Sequence, residues 1–130
     1  MKALPIALLF LLSCHAFASP CSGVDRALTE GQKAQLAPVL AHQLNVASAD
    51  ALESFGYNGW RIVLVNTHVS DEPYLFFQGD PLKSKYVALW AGAATSNEGK
   101  AIEQWVQKNA PGIPSQLSTC FAWHVTKDRG

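Results

Sequence analysis

The side chains with the most chemical reach are histidines and carboxylates. Beyond the first twenty residues the histidines are His42, His68 and His124. His68 runs into Val69-Ser70-Asp71-Glu72. An imidazole beside carboxylates is the raw material of a metal site or an acid–base pair. If the strand carrying His124 lies beside the one ending at His68, then His68, Asp71, Glu72 and His124 form one polar cluster. Such a cluster could support His-dependent or metal-assisted hydrolysis. No His-Glu-x-x-His, Cys-x-x-Cys or Gly-rich phosphate loop reinforces it. The plainer reading is a strand-end His bonded to its own turn and a half-buried His under a sheet.

Nucleophilic serine chemistry has no supporting context. Gly-x-Ser-x-Gly is absent, and Ser48, Ser54, Ser70, Ser84, Ser96, Ser115 and Ser118 all suit caps, turns or strand ends. Asp71-Glu72 sits in a turn, where solvent takes up both charges. No catalytic residue, metal or cofactor is assigned. Aromatics are the richer feature: Trp60, Tyr74, Phe76, Tyr86, Trp90 and Trp123 fall on expected strands. They are either core or, on an uncovered sheet face, a ligand groove or protein-binding surface.

Charge narrows the partner class. Lys and Arg number 10, as do Asp and Glu. Phosphate binding draws on clustered cations, so nucleic acid is not an expected partner. Residues 1–18 read as a leader: Lys2, then an apolar run over 3–12, then Ala16-Phe17-Ala18 with small residues where a signal peptidase needs them. A lipoprotein signal ending at Cys14 is the competing reading. The apolar run is too short to span a bilayer, and no later segment approaches the roughly 20 apolar residues a membrane helix needs. The expectation is an exported chain, periplasmic or secreted, with a single domain over 19–130 and no stable membrane insertion. Cleavage leaves Cys21 and Cys120, which in an oxidising compartment pair most simply as a disulfide.

The elements that must position these groups come from periodicity. Thr29 and Gln32 have capping-box spacing, and Leu36, Val39, Leu40 and Leu44 recur at helical steps. Pro38 interrupts that run, so the helix kinks or begins near Ala37. His42, off the stripe, is expected in solvent. The stretch 51–94 reads as four strands joined by short turns. Asn58-Gly59 is the strongest hairpin signal in the chain, with a short helix over 49–55 as the rival reading. Residues 60–67 form a central strand and 74–78 the next. Residues 85–94 form a fourth, with Tyr86, Ala88 and Trp90 on one side. A second helix follows Ser96 or Asn97, carries Ala101, Ile102, Trp105 and Val106 on its apolar face, and stops at Pro111-Gly112. Residues 118–126, β-branched and aromatic, are expected as a fifth strand.

The predicted class is α+β, in the order α-β-β-β-β-α-β: a mainly antiparallel five-stranded sheet with two helices on one face. The other face is then the expected working surface. In architecture the chain resembles small periplasmic inhibitor or immunity proteins, although the loop motifs of periplasmic lysozyme inhibitors are absent. The expected function is a non-enzymatic binding protein acting on a protein partner. A small-ligand carrier using the aromatic face and the hydrolase above are the alternatives.

Overall fold

A computed structural model describes residues 2, 3, 5 and 19–128. The expected leader therefore lies almost wholly outside the described residues, and Cys14 with it. The first helix, α1 (Glu30–Leu44), starts at the expected capping box: Thr29 Oγ accepts from the Gln32 N–H, and the Gln32 side chain accepts from the Thr29 N–H. Pro38 lies inside α1 without ending it. Its ring faces solvent, and the lost hydrogen bond is on the exposed side of the helix. Leu36 and Leu40 bury the opposite stripe, and His42 is exposed.

Four strands follow: β1 (Asp50–Tyr57), β2 (Trp60–Asn66), β3 (Tyr74–Gln78) and β4 (Ala88–Trp90). They pair in sequence order, each antiparallel to the next. Asn58 and Gly59 both take positive φ, 47° and 82°, as a type I′ turn requires. That turn sets the hairpin register, Tyr57 opposite Trp60, Gly56 opposite Arg61 and Phe55 opposite Ile62. A bulge at Leu52 shifts the alternation by one residue. Ala51 faces α1, whereas Glu53 and Phe55 face the other side of the sheet.

Two expectations fail here. The fourth strand shrinks to three residues, because Gln43 of α1 clamps the chain ahead of it: its amide donates to the Ser84 carbonyl and accepts from the Tyr86 N–H. Tyr86 consequently packs on Phe77, away from the face that buries Ala88. The fifth strand is a helix. After α2 (Gly99–Asn109), residues 118–126 belong to α3 (Ser115–Trp123) and the wider π-type turn that continues it, His124–Asp128. Leu117, Phe121 and Val125 bury along one side at four-residue steps, with Cys120 and His124 beside them. Burial of this period outweighs the local preference of β-branched and aromatic residues for strand.

The result is a three-layer α+β domain with helices on both faces, not one. Val63, Val65, Leu75 and Phe77 meet Leu36 and Leu40 of α1. Phe55, Ile62, Tyr74 and Phe76 meet Ile102 and Val106 of α2 and Leu117 and Phe121 of α3. Cys21 and Cys120 form a disulfide that ties the chain ahead of α1 to α3. Among the described residues no helix is long and apolar enough to cross a membrane.

Candidate functional site

The helical 118–126 segment carries His124 to a place the expected strand would not have reached. Its Nε2 stands 3.2 Å from the Glu53 carboxylate, and its Nδ1 stands 2.9 Å from Asp128 Oδ2, one turn further along. Glu53 also accepts from Tyr74 Oη at 3.3 Å and from Arg26 at 3.3 Å. Arg26 lies over the Phe55 ring and donates to the Ser54 carbonyl at 2.8 Å. The bond from His124 is the main reason the Glu53 carboxyl is held below the ordinary value of 4.5. Partial burial opposes the shift, and the charges of His124 and Arg26 with the Tyr74 bond reinforce it.

This carboxylate–imidazole–carboxylate line resembles an acid–base relay on paper, yet it is closed. Both ring nitrogens face carboxylate oxygens, and only 7% of the His124 side chain is exposed. A general base needs a nitrogen within reach of substrate, and neither is available in this arrangement. The network's evident work is to fasten the end of α3 to β1.

The predicted cluster of His68, Asp71, Glu72 and His124 is not assembled. His68 adopts a left-handed conformation at the end of β2 and pairs with Asp50 at 2.7 Å, exposed. His124 has other partners on the buried side of β1, and Asp71 and Glu72 lie exposed in the turn between β2 and β3. No group of three His, Cys, Asp or Glu side chains suited to a metal occurs among the described residues. The predicted aromatic surface is interior. Trp60, Tyr74 and Phe76 are buried, Trp90 packs edge-on against Phe121, Tyr86 lies against Phe77, and Trp123 is half-buried on α3. The face expected to stay open is filled by α3 in place of a fifth strand, and the reverse face by α1.

Among the described residues a groove of about 1010 Å³ lies open between α1, the tip of the β1–β2 hairpin and the turn at 79–82. Leu36 of α1 with Gln32 and Gln35, and Leu28 just ahead of the helix, form one wall, and Tyr57 and Leu82 stand at the opposite rim. At its floor Arg61 crosses Gly56, its partner in the hairpin register. A Cβ on Gly56 would stand 2.8 Å from an Arg61 nitrogen, so the guanidinium lies against bare β1 backbone. Arg61 donates to Ser54 Oγ, and its other terminal nitrogen stands 3.7 Å from Asp25. Asp25 is positioned by its own turn, accepting from the Ala27 N–H, and by the backbone bridge between Asp25 and Gly56.

No described protein family, curated protein or solved structure matches this chain. The site is therefore argued from its own geometry. Arg61, Gly56, Ser54 and Asp25 were not among the candidates the sequence suggested. A signal for two of them was present: once Asn58-Gly59 fixes the turn, counting back pairs Gly56 with Arg61, a bare backbone facing a long cation. Asp25 comes from a segment with no periodic pattern, and nothing in the sequence brings it there.

Proposed function

We propose that this chain is an exported, non-enzymatic binding module whose groove between α1 and the β1–β2 hairpin receives an extended segment of a protein partner. The observation that carries the reading is the contrast between the two polar assemblies. The imidazole of the network is buried with both nitrogens held by carboxylates, whereas the groove is open and mixes apolar walls with hydrogen-bonding side chains. Its volume is at the upper end of ligand sites. The disulfide suits an oxidising compartment, and the 1–18 leader supplies the route.

The reading is tested by placing a photo-crosslinking residue at Tyr57 or Leu82 on the groove rim, and at Lys108 on α2 as control. The expected result is one recurrent protein adduct from the rim positions and none from Lys108. Equal labelling at all three positions, or none at any, overturns the site. Mass measurement of the protein recovered from the periplasm or medium tests export: a chain starting at Ser19 is expected, and retention of residues 1–18 in the cytoplasm refutes it.

A further inference from the structure

We infer that the groove selects an acidic side chain on the bound extended segment, and that Arg61 is the selecting residue; this rests on the binding-module reading above. Among the described residues Arg61 is the one Lys or Arg lining the groove. Its guanidinium is preset: Gly56 gives it a flat bed, and Ser54 Oγ holds one end. Among the described residues Ser54 Oγ is its only hydrogen-bond partner, although the group carries five donors. Twenty-eight per cent of the side chain is exposed. A planar fork with donors left over from protein partners matches a carboxylate bidentately, whereas a peptide carbonyl engages only one arm.

The molecule already places a carboxylate at the mouth of this fork. Asp25 Oδ2 stands 3.7 Å away, beyond hydrogen-bond length, because its other oxygen is held by the Ala27 N–H. Asp25 is 59% exposed and can turn outward. It marks the seat without filling it, and an incoming carboxylate displaces it. The groove also holds Asp80, whose carboxylate accepts from the Leu82 N–H. Two resident carboxylates against one guanidinium disfavour a doubly charged phosphate. They also leave a lone small anion too weakly held, so the ligand needs apolar neighbours to rest on Leu28, Leu36 and Leu82.

The test is an NMR titration of the ¹⁵N-labelled oxidised chain with three peptides. These are acetyl-Leu-Glu-Leu-amide, acetyl-Leu-Gln-Leu-amide, and acetyl-Leu-Gln-Leu with a free C-terminal carboxylate. The first should shift the Arg61 Nε–H and the Gly56 and Gly59 amides saturably, and the neutral peptide should bind roughly tenfold more weakly. Saturable binding of the third peptide alone overturns the side-chain source. Arg61→Lys, which keeps the charge and loses the fork, should cost most of that preference. Asp25→Asn should tighten binding several-fold, a gain that misfolding cannot produce. Equal binding of all three peptides in the groove overturns carboxylate selection and leaves the groove reading standing. Shifts confined to residues outside the groove, or no shifts, overturn both. Unchanged affinity in Asp25→Asn overturns the displacement.

Discussion

Replacing Glu53 by Gln probes the bond between α3 and β1 most directly. The carboxylate gathers His124, Tyr74 and Arg26, each at 3.2–3.3 Å. Well-formed hydrogen bonds to a charged group contribute about 1.5–3 kcal/mol net. These are long, and 27% of the Glu53 side chain is exposed, so the three together are expected to contribute about 2 kcal/mol at pH 7. Glutamine keeps the shape and one acceptor but presents an amide where a charge was. The pH dependence gives the sharper test. The folded carboxyl titrates below its ordinary value of 4.5, chiefly through the His124 bond. Below that value the unfolded chain binds the proton more readily than the folded one, so stability falls as pH falls. The contribution is fully present above about 4.5 and disappears as pH drops through the folded value. Urea unfolding of both proteins at pH 7 and near pH 3 measures it. With a urea slope near 1.5 kcal/mol/M, the pH 7 midpoints should differ by about 1.3 M, and the gap should close at low pH. A gap of equal size at both values, or none at pH 7, refutes the account. Asp71→Asn, in an exposed turn, is the control and should leave the midpoint unmoved.

Serine at both Cys21 and Cys120 should cost about 4–5 kcal/mol, since the bridge closes a loop of 99 residues' separation; calorimetry should show a melting point lower by on the order of 20 °C, and an unchanged melting point would mean that the bridge constrains nothing. Gly56→Ala should keep stability within about 1 kcal/mol, because the three atoms nearest its new Cβ all belong to the displaceable far end of Arg61; by evicting that guanidinium it should abolish the preference for the Glu-containing peptide, and retained preference in the titration would place the selecting group elsewhere. Phe121→Ala removes a fully buried ring packed edge-on against Tyr74, Phe76 and Trp90; a loss of about 3–5 kcal/mol is expected by urea unfolding, and a loss below 1 kcal/mol would show that α3 does not close this face.

What could be read from the residues follows from how local the signal is. Thr29, Gln32 and the Leu36–Leu40 spacing act within one helix, and α1 forms as they indicate. Asn58-Gly59 acts within four residues, and the hairpin obeys it. The cysteine pair follows from Cys21 and Cys120 being the two cysteines outside the expected leader. The misreading of 118–126 has the opposite cause. Thr119, Phe121, Trp123, Val125 and Thr126 favour strand taken singly, but in this fold Phe121 and Val125, with Leu117, cover the sheet face lined by Phe55, Tyr74 and Phe76. Ser118 and Thr126 even turn their hydroxyls back onto helical carbonyls, at Ser115 and Ala122. The candidate site shares this non-locality. Glu53 reaches His124 only because Leu52 is bulged, and Arg61 meets Asp25 only because an irregular segment lies beside Gly56. Neither event leaves a periodic trace.

The bridge between Cys21 and Cys120 also orders events in time. A chain is made from its N-terminus, so one thiol emerges ahead of α1 and the other only with α3, after every strand. The second thiol reaches the first when Leu117 and Phe121 have closed over the sheet, since Cys120 is fully buried among them. Oxidation is thus expected as the last step of assembly rather than a guide to it. Free thiol in a growing or newly released population counts the molecules whose final helix has not yet docked.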